Sequence, residues 1–169
     1  MPLCPYCGAK VIEGDDECPE CTHSLASLDL PEPASEVERA LVNDRVDQLK
    51  PRAPLTATSD TPVAEVLKRM WEERIGCMLI VDDGVLSGIF TERDATQKLA
   101  ADIESLATRP VSDFMSRDPE TLEGTAKIVF AVQRMDLGGF RHVPLTDGDG
   151  APTGVVSVRD VLRYLTAKF

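Results

Sequence analysis

Four of the five cysteines in this sequence form two metal-binding pairs. Cys4 and Cys7 make one Cys-x-x-Cys pair, and Cys18 and Cys21 make the other. Each pair can direct two thiolates at one ion, and two pairs complete the closed tetrahedral set that structural zinc prefers. We therefore predict one zinc ion held by these four residues, although four thiolates also suit iron in a redox site. Because the set leaves no coordination position open, we expect the metal to be structural and not catalytic.

The surroundings of the two pairs indicate a small independent domain. Gly8 follows the first pair, where a tight turn lets backbone amides point at sulfur. The residues between the pairs suffice for one β-hairpin, so residues 1–27 resemble a short zinc ribbon. His23 lies next to a complete ligand set and is expected to be a surface residue. We expect this ribbon to fold separately from the rest of the chain.

A second chemical signal occurs twice, as Gly-x-x-Thr/Ser-x-Arg-Asp. Thr91 and Ser157 stand where a helix N-cap is expected, and Asp94 and Asp160 follow three residues later. One such motif is explained by helix capping, as a capping box with Asp in place of Glu. However, a helix N-terminus also offers amides to phosphate, and a carboxylate one turn in can accept two hydrogen bonds from a ribose diol. The duplication favours a nucleoside phosphate site over a pair of helix caps.

The motif recurs because the chain contains an internal repeat with an offset of about 65 residues. Val46 aligns with Val111, and Arg69-Met70 aligns with Arg134-Met135. The repeat boundaries are set at residues 46–107 and 108–169. The other aligned pairs are Arg52 with Arg117, Pro54 with Pro119, and Thr56 with Thr121.

Each copy is predicted to fold as β-α-β-β-α. In the first copy a helix begins at Thr61-Pro62, with an apolar face made by Val63, Val66, Leu67, Met70 and Trp71. Two strands follow at residues 78–81 and 86–90, and a second helix starts after Thr91. The second copy has its helix at 128–135, strands at 143–146 and 154–156, and a helix after Ser157. We therefore predict an α+β fold in which the two copies share one core.

This repeat resembles the CBS domain, and two copies in tandem resemble a Bateman module. The resemblance covers about residues 46–168 and implies two clefts, related by a pseudo-twofold axis, that bind an adenine nucleotide. The implied contacts are the motif residues and nearby bases: Thr91, Arg93, Asp94, Arg141, His142, Ser157, Arg159 and Asp160. The first copy has Gly76 and Cys77 where the second has Arg141 and His142, so we expect the clefts to differ in affinity, or only one to bind.

Charge and composition exclude several classes of function. The net charge is −11, and residues 1–45 carry ten acidic and three basic side chains, so binding to nucleic acid or to a membrane surface is disfavoured. Residues 28–45 form an acidic, proline-containing linker that includes a short helix capped by Ser35. The sequence shows no signal peptide, and we expect a cytoplasmic protein.

The sequence favours a regulatory protein over an enzyme. No Ser/His/Asp or Cys/His set can be assembled, and Cys77 is expected to be a buried small residue. We predict a sensor of AMP, ADP or ATP that forms a homodimer and signals to an unknown protein partner. Two alternatives stay open: an interaction scaffold without ligand, and an iron-loaded Cys4 electron carrier. NAD or S-adenosylmethionine would present the same ribose to the motif.

Overall fold

The structure is a computed structural model that describes residue 4 and residues 6–12, 17–25 and 35–168. The proline-containing part of the predicted linker lies outside these residues. None of the helices in the described ranges combines the length and the apolar character that a membrane span requires.

The described elements follow the predicted repeat closely. In chain order the helices are α1 (Glu36–Asn43), α2 (Val63–Glu72), α3 (Glu92–Lys98), α4 (Ile103–Leu106), α5 (Ile128–Gly138) and α6 (Val158–Thr166). The strands are β1 (Thr56–Ala57), β2 (Cys77–Asp82), β3 (Val85–Thr91), β4 (Ser116–Arg117), β5 (His142–Thr146) and β6 (Pro152–Ser157). Two 3-10 turns, Val46–Leu49 and Val111–Asp113, open the two copies.

The two copies build equivalent sheets. The first sheet has the order β1-β2-β3-β4, in which β1 is parallel to β2 and the other neighbours are antiparallel. In the second copy β5 pairs with β6, Leu122 forms a parallel bridge with Leu145, and Arg52 forms an antiparallel bridge with Val155. Leu122 and Arg52 thus take the places of β1 and β4, so the predicted extended piece near Thr121 is a single bridge and not a strand.

Each copy receives its edge segment and part of its core from the start of the other copy. Val46 and Leu49, which open the first copy, lie in the core of the second, with Ile128, Phe130 and Leu145 among their neighbours. In the first copy, the core formed by residues such as Val66, Met78 and Phe90 includes three residues that open the second copy: Val111, Phe114 and Met115. Because of this exchange, the boundaries of the compact units in the structure do not coincide with the boundaries of the two sequence repeats.

The chain divides into two compact units. One contains the described residues up to Arg52, together with residues 122–145 and 155–168, and the other contains residues 53–121 and 146–154. The cysteine-rich segment therefore shares a unit with most of the second copy. It contacts that copy through Tyr6, which packs both against its small core and against the core around Phe130. Separate folding of this segment stays a prediction.

Some helix ends and buried helix faces agree with the predictions made from local sequence patterns, and others do not. Ser35 caps α1 by accepting a hydrogen bond from the Glu38 amide at 3.1 Å, as predicted. The N-cap of α2 is Pro62 and not Thr61, since the Thr61 hydroxyl accepts the amide of Thr58 instead. Trp71 does not belong to the buried face of α2, because its side chain is 85% exposed. Position 71 lies one residue beyond the stripe that reaches the core.

Candidate functional site

The four paired cysteines form one compact cluster. The Sγ atoms of Cys4, Cys7, Cys18 and Cys21 all lie within 4.8 Å of one another, with 3.6 Å between those of Cys4 and Cys21 and 3.7 Å between those of Cys7 and Cys18. These distances are too long for disulfide bonds. They match the edge of about 3.8 Å that a tetrahedron with zinc–sulfur bonds of about 2.3 Å requires. Within the described residues, no other group of His, Cys, Asp or Glu side chains is so arranged.

The two Cys-x-x-Cys turns have the same backbone geometry. In the first turn the Cys4 amide donates to the Ala9 carbonyl, and the Gly8 amide donates to the Cys4 carbonyl. Cys18, Thr22 and His23 repeat this pattern in the second turn. Gly8 has φ +77°, which explains the glycine, whereas Thr22 adopts the same left-handed region with φ +57° despite its branched side chain.

Burial and backbone hydrogen bonds shift the thiol pKa values in different directions. Burial raises the pKa of Cys18, but the amides of Cys21 and Glu20 outweigh it and lower the pKa to about 7. Burial raises the pKa of Cys7 and of Cys21. Four adjacent thiolates repel one another, so a divalent cation is the natural partner of the fully deprotonated set.

The first copy of the duplicated motif forms a complete capping box. Asp94 is 7% exposed, and its Oδ2 accepts the Thr91 hydroxyl at 2.6 Å and the Thr91 amide at 3.0 Å. The Asp94 amide in turn donates to the Thr91 hydroxyl at 3.3 Å. The Glu92 amide at the start of α3 donates to the Gly76 carbonyl. The helix start is thereby held against the segment that leads into β2.

The second copy repeats this arrangement at the start of α6. Asp160 is 6% exposed, and its Oδ2 accepts the Ser157 hydroxyl at 2.6 Å and the Ser157 amide at 2.8 Å. The Val158 amide donates to the Arg141 carbonyl at 3.1 Å, so the predicted basic residue Arg141 lies beside this helix start. His142 begins β5 and is half-buried, and Arg159 is exposed. Arg93 is exposed at the equivalent position of the first copy.

A cation that the sequence did not lead us to predict engages the second carboxylate oxygen of each motif aspartate. Lys98 Nζ lies 2.7 Å from Asp94 Oδ1 and also donates to the Phe114 carbonyl at 2.5 Å. In the second copy Arg163 pairs with Asp160 Oδ1. Spacings of four and three residues on a helix are the signal that could have predicted these pairs.

A cavity of about 410 Å³ opens next to Arg141 between α5 and the start of α6. Its lining is mainly apolar, with Arg141 and Asp136 as the charged groups. The lining residues are Val132, Met135, Asp136, Gly139, Phe140, Arg141, Val158 and Val161. Gly139 caps the C-terminus of α5 with φ +62°, which explains the glycine at this position.

The remaining cysteine is not reactive. Cys77 is 7% exposed, and burial, with a smaller contribution from Glu92, raises the pKa of its thiol to about 12. A thiol with this pKa stays protonated at neutral pH and is a poor nucleophile. This agrees with the expectation of a buried small residue.

Comparison with known proteins supports the repeat. The CBS domain family model matches residues 46–101 and 111–167. An uncharacterized 17.7 kDa protein of Acidianus ambivalens is 30% identical over 123 residues, which cover 72% of this chain and 73% of that protein.

Solved structures share the architecture of the repeat region. The CBS domain pair of protein MJ0100, in complex with 5′-methylthioadenosine and S-adenosyl-L-methionine, has a TM-score of 0.67 at 25% identity and covers 74% of this chain and 98% of its own. CBS domain protein PAE2072 from Pyrobaculum aerophilum, complexed with AMP, has a TM-score of 0.64 at 22% identity, with coverages of 73% and 98%. With the matched repeats and the duplicated helix-start motif, these findings show that the chain belongs to the CBS-domain proteins and carries a tandem CBS pair.

Proposed function

We propose that this protein is a regulatory sensor that binds an adenine nucleotide through the two helix-start motifs of its CBS pair. The observation that carries the proposal is the matched geometry of Thr91 with Asp94 and of Ser157 with Asp160. The ligands of the MJ0100 pair and of PAE2072 all contain adenosine, which fits a motif suited to ribose. Such a protein regulates because its ligand binds one conformation more tightly than another. This requires no catalytic group, so we propose that the protein is not an enzyme.

The chemistry of ligand binding follows from the atoms at each helix start. The carboxylates of Asp94 and Asp160 would accept the ribose hydroxyls in charge-assisted hydrogen bonds. Thr91 and Ser157 would contact ribose or phosphate. In the second copy, Arg141, His142 and Arg159 would supply positive charge near phosphate, and Arg93 would do so in the first copy. Ribose binding must displace or share the cations that now hold each Oδ1 atom.

Nucleotide titration tests this function. We expect AMP to bind the purified chain, and Asp→Ala at an occupied site to weaken binding at least about tenfold, since one lost charge-assisted hydrogen bond corresponds to about 1.5–3 kcal/mol. A 2′,3′-dideoxy analogue should bind the native chain more weakly and the variant with little further loss. Identification of the small molecules that the purified protein releases on denaturation would show which ligand it binds. This measurement would also detect NAD or S-adenosylmethionine.

A ligand-free scaffold is the second candidate function. The observation that favours it is that both oxygens of Asp94 and of Asp160 already have intramolecular partners. If Asp94→Asn and Asp160→Asn both bind adenine nucleotides as tightly as the native chain, the motifs are helix caps and the scaffold function replaces the sensor.

We also propose that Cys4, Cys7, Cys18 and Cys21 hold one structural zinc ion. The close approach of the four sulfur atoms and the all-thiolate ligand set fit this metal. Zinc would cross-link two turns that share a small core and would supply no open position for substrate. Metal analysis of reduced protein should find one zinc per chain, and Cys18→Ser with Cys21→Ser should abolish it. Iron, with thiolate charge-transfer absorption, would instead support the redox alternative.

The assembly and partners are further proposals. Trp71 of α2 is 85% exposed and Leu137 of α5 is 79% exposed, so each of these two helices offers an apolar side chain to a second copy of the chain. Met70, which precedes Trp71 in α2, is buried and is not available to a second copy. We propose a homodimer that signals to a protein partner. Sedimentation as a monomer at tens of micromolar, with and without AMP, would contradict the dimer. Cytoplasmic localisation and the lack of nucleic-acid or membrane binding stay predictions.

A further inference from the structure

Tyr6 joins the cysteine cluster to helix α5 of the second CBS copy. It is the residue between the first two cysteines that contacts two hydrophobic cores at once, the small core containing Cys4 and Cys18 and the larger one containing Phe130. Within the described residues, no other side chain packs against both. The cysteine cluster and α5 belong to the same compact unit.

The Tyr6 ring stacks on His23 within the cysteine-rich segment and makes a tilted contact with Phe130 of α5. The Tyr6 ring lies 4.4 Å from His23 at an interplanar angle of 23°, and 4.6 Å from Phe130 at 35°. The guanidinium of Arg134, one turn further along α5, lies 5.5 Å from the centroid of the Tyr6 ring. Such aromatic and cation–π contacts depend on ring orientation and are lost when the ring moves by a few ångströms.

Tyr6 lies in the turn between Cys4 and Cys7, so its position should follow the shape of that turn. The described core of the cysteine-rich segment consists of Cys4, Val11, Cys18 and Leu25, so half of it is formed by candidate metal ligands. A core this small cannot hold a fold without a cross-link. Without metal, the turn between Cys4 and Cys7 should lose its shape, and Tyr6 should lose its position over α5.

We propose that the metal-loaded cysteine cluster is a clamp on α5, in which metal occupancy fixes Tyr6 against Phe130 and Arg134 and keeps this helix ordered. The inference rests on the proposed metal site and assigns it a regulatory role within the second CBS copy. α5 ends at Gly138, three residues before Arg141, so the helix held by Tyr6 leads toward a candidate phosphate contact.

Hydrogen exchange on the full chain tests the clamp. The zinc-loaded protein is compared with the same protein after chelation under reducing conditions, without nucleotide. We expect exchange of the α5 amides to become at least about tenfold faster on metal removal, while α2, in the other unit, changes little. Equal acceleration in α2 would indicate general unfolding and would overturn the proposal.

Two variants separate the clamp from a general effect of the metal. Tyr6→Ala removes the aromatic ring on the cysteine side of the contact. Phe130→Leu removes the aromatic ring on the helix side and leaves the cysteine turns unchanged. In both we expect zinc to be retained and α5 exchange to become insensitive to chelation. Tyr6→Phe keeps the ring and should behave as the native chain. Acceleration of α5 by chelation to the same extent in all variants would overturn the clamp.

The outcomes also separate this inference from the proposed metal site. If metal analysis finds no zinc in the native chain, both fail together. If zinc binds to the four cysteines but its removal leaves α5 exchange unchanged, the metal site stands and the clamp alone is wrong.

Discussion

The hydroxyl of Tyr164 in α6 donates a hydrogen bond to the carboxylate of Asp44, 120 residues earlier in the chain. The ammonium of Lys168 lies 3.3 Å from the same carboxylate. Asp44 directly precedes the segment that opens the first CBS copy and packs into the core of the second. Helix α6 and the residues after it therefore hold this exchanged segment in place, through side chains far apart in the sequence.

Tyr164→Phe should lower the free energy of unfolding by about 1–2 kcal/mol, because it removes a hydrogen bond to a charged acceptor at a partly buried site. Urea denaturation at neutral pH measures the loss. Tyr6→Phe is the matched control, since the hydroxyl of Tyr6 has no hydrogen bond among the described contacts, and it should change stability by less than about 0.5 kcal/mol. Equal losses in the two variants would contradict the role of the Asp44 contact.

The same contact predicts a pH dependence of stability. The Tyr164 hydrogen bond outweighs burial and lowers the pKa of Asp44 below its ordinary value. A carboxylate with a depressed folded-state pKa stabilises the protein fully above its unfolded value of about 3.9, and this contribution is lost as the pH falls through the folded value. The difference in stability between the native chain and Tyr164→Phe should therefore shrink below about pH 4. A constant difference from pH 7 to pH 3 would contradict this.

The two ion pairs of the motif aspartates should differ in strength. Lys98 contacts both Asp94 and the Phe114 carbonyl, whereas Arg163 pairs with Asp160. We expect Lys98→Met to lower the unfolding free energy by about 1–2 kcal/mol, and Arg163→Met by less than about 1 kcal/mol, after allowance for the partial exposure of both cations. Denaturant unfolding gives both values. A larger loss for Arg163→Met would show that the Phe114 contact adds nothing.

Thr22→Gly should strengthen metal binding. Thr22 adopts φ +57°, a region that costs a branched residue about 1–2 kcal/mol, and part of this strain is released by glycine. We expect zinc affinity, measured by competition with a chelator, to rise by up to about fivefold. Gly8→Ala is the converse change at the equivalent position, with φ +77° and open space around it, and should lower the affinity. A fall in affinity for Thr22→Gly would contradict the strain argument.

Gly88 of the first motif should not tolerate a side chain. A Cβ atom at this position would lie 2.4 Å from the Met115 sulfur and 3.0 Å from the Ser116 carbonyl oxygen. Gly88→Ala should therefore cost about 1–3 kcal/mol of stability through overpacking. At Gly148, a Cβ atom meets nothing within 4 Å, so Gly148→Ala should be neutral within about 0.5 kcal/mol in the same denaturation measurement. Equal midpoints for the two variants would show that Met115 moves aside at little cost.

The sequence alone determined the features that depend on neighbouring residues. The repeat, the alternation of helices and strands, the Ser35 cap and the two motif caps follow from periodicity and from side-chain chemistry within three or four residues. The four cysteines were identified in the same way, because the spacing within each pair is set by one turn. Membership of the CBS family follows from these local patterns and is confirmed by the matched family model.

Only the tertiary structure decided which distant segments meet. The exchange of the segments at Val46 and Val111, the placement of Tyr6 on α5 and the contact of Tyr164 with Asp44 each join parts of the chain far apart in sequence. Apolar and aromatic residues in the sequence predict burial but do not predict the partner. The hydrophobic effect is non-directional, and packing geometry selects the partner. The same reason explains Trp71, whose apolar side chain was assigned to the buried face of α2 but is exposed to solvent.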